Sequence, residues 1–128
     1  MSPIDLARRF HARTPWADVP FDPDSAADSL DFLRRKAFLT TTETGICAGM
    51  LVPVLWNKNE LIAQEIGWYS ETPGEGKELR RKFESWAASQ GAKRVGFSIL
   101  ADEREAGMRR MLTRAGYVAT EIAMARRV

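Results

Sequence analysis

One cysteine and one histidine stand among 128 residues, and each scarcity narrows what the chain can be. A lone Cys47 excludes a disulfide framework; with only His11 beside it, there is no cysteine-based zinc site and no multi-histidine metal centre within one chain. Long apolar runs are absent too. The longest, Ile46 to Trp56, is broken by glycine and proline and falls short of membrane-spanning length, so no membrane partner is expected. Met1-Ser2-Pro3-Ile4-Asp5 lacks the basic and apolar regions of a signal peptide, which makes a reducing cytoplasm the expected compartment. Charge of one sign is also scarce: 19 Lys and Arg face 17 Asp and Glu, for a net charge of +2. Arginines scattered among carboxylates do not imply a nucleic-acid partner. The basic C-terminal part, with Arg109, Arg110, Arg114, Arg126 and Arg127, reads as a solvated helix face.

What is present suits one folded domain over residues 1–128. Hydrophobic residues make up 45% and charged residues 28%, enough apolar material for a core without a covalent or metal staple. Ser2-Pro3-Ile4-Asp5 reads as a helix start, with a serine cap, a proline in the first turn and an acid three residues after the cap. Thr14-Pro15 ends that helix. Asp22-Pro23 starts a second, with Ala26, Leu30 and Leu33 toward the core. From Ala37 the pattern turns to β. Ala37–Thr42, Ile46–Trp56 and Leu61–Tyr69 read as an antiparallel meander with turns at Glu43–Gly45 and Asn57–Asn59, Pro53 marking an edge or a bulge. Leu79, Phe83, Trp86 and Ala87 then define a helix closed by Gly91. Lys93–Leu100 alternates as a strand. Asp102 and Glu105 have the spacing of a capping box ahead of the Met108, Met111, Leu112 and Ala115 stripe, and Tyr117–Arg126 reads as a last strand. The order is ααβββαβαβ, a mixed α/β sheet with parallel pairing expected in its second half.

The piece richest in chemistry is the strand–loop–helix unit Leu61–Gly91. A helix start offers N–H groups without internal partners and the positive end of the helix dipole. Gly74 and Gly76 let a phosphate approach that backbone, while Lys77, Arg80 and Arg81 supply charge in the first turns. Taken alone, Gly-x-Gly before a helix is equally a tight turn. A Walker loop needs a longer glycine spacing and a hydroxyl residue after the lysine, where this chain has Glu78. A dinucleotide fingerprint needs a third glycine and a β-α-β opening, whereas a meander comes first here.

The element order and Pro73-Gly74-Glu75-Gly76 on a helix start resemble the GCN5-related N-acetyltransferases over nearly the whole chain. Phe10-His11-Ala12-Arg13-Thr14-Pro15-Trp16 and Pro20-Phe21-Asp22-Pro23 resemble the first helices of compact members often encoded by phages. Ala63–Tyr69 resembles their fourth strand, Phe83–Ala87 with Gly91-Ala92 their third helix, and Arg114-Ala115-Gly116-Tyr117 the turn into their sixth strand. The resemblance implies a sheet that is antiparallel at its centre and flanked by helices; the family's usual first strand is missing, because the chain opens directly into the first helix. It implies acetyl-CoA as cosubstrate, with no metal. The backbone near Trp68 and Ser70 would pair with the pantetheine arm, and Gly74, Glu75, Gly76 and Lys77, helped by Arg80, would hold the pyrophosphate. The thioester would lie where two strands part in a V. Three departures stand out. Glu71 replaces the Gln or Arg that opens the family's loop, Leu112 falls where the family often has a tyrosine that protonates the thiolate, and Glu105 replaces an asparagine.

Glu65 is the candidate general base, because the resemblance places a glutamate on this strand. Alternation puts Glu65, Gly67 and Tyr69 on one face, so Tyr69 is the candidate acid in place of Leu112. His11 at a helix end reads as a capping residue, and Cys47 as an inert buried thiol. Trp16, Phe21 and Trp56 are candidates for the acceptor pocket. The expected function is acetyl transfer to an amine, of a small molecule or a protein, by direct attack. The alternatives are a catalytically silent CoA-binding or protein-binding module on the same fold, and an interaction protein that pairs through an uncovered sheet edge, for which a homodimer is one solution.

Overall fold

Both helix starts form as their caps dictate. Ser2 Oγ accepts the Asp5 amide at 3.3 Å ahead of α1 (Pro3–His11), and Asp22 Oδ1 accepts the amides of Asp24 and Ser25 ahead of α2 (Pro23–Lys36). A computed structural model describes residues 1–128, which fall into two compact units, Met1–Ser98 and Ile99–Val128.

In the first unit, β1 (Phe38–Thr41), β2 (Gly45–Val54) and β3 (Asn57–Ser70) form the antiparallel meander. Helix α3 (Glu75–Ser89) crosses to β4 (Arg94–Gly96), which pairs with β3 in parallel, giving the strand order β1-β2-β3-β4. Helices cover both faces of this sheet. Leu6 and Phe10 of α1 and Leu30 of α2 pack with Leu39, Ile46 and Tyr69 on one face. On the other, Leu79 and Phe83 of α3 are fully buried, and Phe83 meets Phe38 and Phe97 at ring distances of 5.3 and 5.5 Å. Each such side chain contributes about 1.5–3 kcal/mol by leaving water. The second unit holds α4 (Glu105–Arg114), on which Leu112 is buried. No helix is long and apolar enough to cross a membrane.

Four boundaries differ from those the sequence suggests. The hairpin turn is Leu55-Trp56 rather than Asn57–Asn59, because the register slips at Pro53/Val54 and brings Val54 opposite Asn57. Strand β4 stops at Gly96 instead of running to Leu100, and two residues on the Ser98 amide goes to the Glu65 carboxylate rather than to a strand. The Asp102 carboxylate accepts the Arg104 amide at 2.8 Å in a turn, so α4 starts at Glu105 with no side-chain cap. The sheet has four strands, and Tyr117–Arg126 is not one of them. Alternation marks a segment that could sit in a sheet; it does not supply the neighbour that makes it a strand.

The irregularity that matters most lies in mid-sheet. Gly49 is paired with Glu65 and Ala48 with Gly67, so Ile66 has no opposite residue and β3 bulges there. Gly49 is tied to its place by α3: a Cβ on it would stand 2.3 Å from the Phe83 ring. Gly49→Ala should therefore cost about 1–3 kcal/mol in a urea titration, the scale of core overpacking. Wild-type stability in that variant would mean that the α3 packing yields at no cost.

Candidate functional site

The loop from Ser70 to Gly74 is tied down before α3 begins. Glu71 donates its amide to Thr44 O at 3.1 Å, and Ser70 Oγ donates to Thr72 O at 2.9 Å. Glu75 lies at the cradle but aims its carboxylate at the β1–β2 turn, accepting the Thr44 amide at 3.5 Å and the Thr44 hydroxyl. It anchors the loop and does not face an anion.

Gly74 caps α3 with φ +90°, a left-handed conformation natural to glycine, and supplies no side chain to the first turn. The Glu75 amide goes to Thr72 O and the Glu78 amide to Gly74 O. Between them, the amides of Gly76 and Lys77 are taken neither by the helix nor by a cap. A Cβ on Gly74 would meet nothing within 4 Å, and one on Gly76 only the Trp68 ring at 3.9 Å, so no other group crowds the backbone at these two glycines. Trp68 braces the turn from beneath, its Nε1 donating to Gly76 O at 2.9 Å. A cleft of about 450 Å³ runs on from Gly74 along α3, lined by Lys77, Glu78, Arg81, Lys82 and Ser85. The donor set and the open backbone fit a polyphosphate.

Arg80 does not belong to that set. It is buried at 7% exposure, and its Nη1 donates to both oxygens of Glu84, at 3.0 and 2.8 Å. The neighbouring Arg81 faces the cleft instead. Helical periodicity contains this distinction: positions 74, 77, 78, 81 and 85 share a face, whereas 80 follows Leu79 toward the buried side.

Strands β3 and β4 pair only across Ile62–Gln64 and Arg94–Gly96 and then part. Glu65 sits at the fork, 6% exposed, its Oε1 accepting the Ser98 amide at 2.9 Å. Burial, only partly offset by that amide, pushes its pKa up to about 7. A carboxyl group in this state can take up or give up a proton near neutral pH. Beyond the fork, the backbone of β3 from Glu65 to Ser70, which includes Trp68, has no strand on its β4 side.

The bulge separates the two residues that simple alternation joined. Glu65 pairs with Gly49, whose missing Cβ points at Phe83, so Glu65 belongs to the α3 face. Tyr69 belongs to the α1 face, stacked on Phe10 at 5.2 Å. Its hydroxyl donates to Glu71 Oε2, and burial, followed by that carboxylate, raises its pKa. Tyr69 and Glu65 therefore do not line one cleft face. Arg9 completes the α1-side cluster, with Nε and Nη2 each 2.6 Å from a Glu71 oxygen.

Of the remaining candidates, His11 Nε2 lies 2.7 Å from Val19 O and ties the end of α1 to its loop, and Arg8 stacks over the Phe21 ring at 4.8 Å. Cys47 is fully buried, and burial, with Glu65 adding to it, pushes its thiol pKa far up. Trp56, 86% exposed, lies at the hairpin tip, nine residues along β3 from Glu65, or roughly 30 Å. That distance keeps it from touching an amine held at Glu65.

This sheet, with its fork and its glycine-capped helix, is the fold of the GCN5-related N-acetyltransferases. No protein-family model and no curated protein sequence matches the chain. Solved structures do. A Trypanosoma brucei acetyltransferase matches 98% of this chain and 92% of its own, with TM-score 0.65 and 17% identity. A transcriptional regulator from Bacillus halodurans C-125 matches 100% and 96%, with TM-score 0.72 and 14% identity. AAC(6')-Iy, in complex with the bisubstrate analog CoA-S-monomethyl-acetylneamine, matches 98% and 90%, with TM-score 0.66 and 12% identity. At these identities the likeness is one of fold.

Proposed function

We propose that this chain is an N-acetyltransferase that passes an acetyl group from acetyl-CoA to an amine by direct attack. The observation that carries the reading is the combination, on one strand–loop–helix unit, of a buried carboxyl at a strand fork, its pKa raised by burial, with two helix-start amides that have no partner. The amides of Gly76 and Lys77 hold the pyrophosphate, with Lys77 and Arg81 adding charge from the cleft. The open backbone beside Trp68 and Ser70 takes the pantetheine arm as a strand would. The amine nitrogen forms its bond to the acetyl carbon as the carbon–sulfur bond breaks. Glu65 takes the amine's proton through a bridging water and returns it to solvent. The thiolate leaves with its electron pair and is protonated by water, since a thiol of ordinary pKa near 8.5 is a tolerable leaving group.

A catalytically silent CoA-binding module is the second reading, favoured by the commitment of the Tyr69 hydroxyl to Glu71, which removes that phenol as an acid. Titration calorimetry with acetyl-CoA, followed by a thiol-release assay over a panel of small amines and peptides, separates the two. Binding with turnover supports the enzyme. Binding without turnover on any acceptor supports the silent module, and absence of binding removes both.

A further inference from the structure

We infer that Arg9 is a positioning residue for the anion cradle: it draws the Glu71 carboxylate onto α1 and cancels its charge, so that a polyphosphate can approach the start of α3. The inference rests on the acetyl-CoA reading above and concerns how this chain tolerates an acid in its phosphate loop. Glu71 stands three residues before Gly74, in the short loop that leads into the cradle. Its backbone is fixed by Thr44, so only the side chain can turn away from the cradle. It turns toward α1, where Arg9 grips both oxygens at 2.6 Å and the Tyr69 hydroxyl donates a third bond. These partners, Arg9 first and Tyr69 second, pull the carboxyl pKa down to about 2, with Arg13 adding a favourable charge, so the group is ionised at every working pH. An ionised acid near a phosphate site weakens anion binding unless it is paired. Arg9 is the pairing charge, and it comes from a helix 62 residues away in the chain.

Arg9 itself is half exposed, its side chain 51% accessible against 17% for Glu71. Removing its head group leaves water in its place and an uncompensated carboxylate near the cradle. Unit charges about 10 Å apart near a protein surface change an anion's affinity by roughly threefold to twentyfold at low salt, and less once the Debye length falls below the separation.

The alternative role is a purely structural strap between α1 and the loop, and the two differ in the sign of one variant. If the pair is a strap, Glu71→Gln weakens the ligand as much as Arg9→Met does. If Arg9 neutralises Glu71, Arg9→Met weakens it, Glu71→Gln does not, and the double variant recovers. The experiment is a calorimetric titration of coenzyme A into the parent, Arg9→Met, Arg9→Gln, Glu71→Gln and the Arg9→Met/Glu71→Gln double variant, in 50 and 300 mM salt, with a thermal melt of each. The expected result is about a fivefold loss for either Arg9 variant at low salt, smaller at high salt, with the double variant within about twofold of Glu71→Gln. A Glu71→Gln chain that binds as poorly as Arg9→Met, or Arg9 variants that bind like the parent, overturns the inference and leaves the acetyl-CoA reading standing. A parent that does not bind coenzyme A overturns both.

Discussion

A Gly76→Val chain should fold normally and lose coenzyme A affinity by roughly a hundredfold or more. Gly76 has ordinary helical backbone angles, and a Cβ there would find only the Trp68 ring, at 3.9 Å. Valine is no worse than glycine inside a helix, so nothing in the fold opposes it. What it adds is bulk on the backbone that a phosphate must approach closely to reach the Gly76 and Lys77 amides. Two charge-assisted hydrogen bonds contribute about 1.5–3 kcal/mol each, and losing both corresponds to at least the hundredfold stated. Gly74→Val is the poorer probe, because at φ +90° any side chain adds backbone strain to the loss of space. A calorimetric titration beside a circular-dichroism melt decides the matter. Parent-like affinity in a folded Gly76→Val chain would remove the phosphate cradle from this helix.

The fold was legible in the sequence wherever a local signal decides it. Ser2 and Asp22 cap helices because their side chains reach amides two or three residues on, whatever the rest of the chain does. Gly91 ends α3 with φ +79° for the same local reason. The parallel β3–β4 pairing follows from a helix crossing between two strands. What the sequence hid is what pairing decides. The bulge at Ile66 exists because Glu65 lies opposite Gly49, and Gly49 is there because Phe83 needs the space. No window of β3 contains that fact, so alternation placed Glu65 and Tyr69 together and the structure places them on opposite faces.

The site divides in the same way. Glycines before a helix announce an anion cradle in sequence, because the property belongs to the backbone itself. Arg80 and Arg81 look alike on paper, and only their faces on α3 tell the buried partner of Glu84 from the residue that lines the cleft. Arg9 and Ser98 carried no signal at all. Each acts on a carboxylate far along the chain, Arg9 on Glu71 and Ser98 on Glu65, and such pairings emerge only once the sheet is built.

Glu65→Gln should make the protein more stable at pH 8 and, at the same time, poorly active. In the folded chain Glu65 keeps its proton up to about 7, against an ordinary value of 4.5. Between those values the native state binds more protons than the unfolded state, so stability falls as pH rises through the window and the full cost is present above it. A rise of about 2.5 pKa units corresponds to on the order of 3 kcal/mol. Glutamine keeps an oxygen for the Ser98 amide and carries no charge to desolvate. Urea titrations should therefore show parent and variant close together at pH 5 and the variant ahead at pH 8. Equal stability at both values would mean that Glu65 is solvated and unperturbed. Turnover should move the other way. If Glu65 is the base, kcat/KM of the parent rises through about pH 7 as the carboxylate forms, a step distinct from the acceptor amine's own titration near 10. The variant should lose that step and fall by roughly a hundredfold to ten-thousandfold, the range of general-base catalysis, while coenzyme A affinity stays put because Gly76 and Lys77 are untouched. A variant that gains stability at pH 8 and keeps full activity would leave the burial of Glu65 intact as a fact of folding and move the base elsewhere.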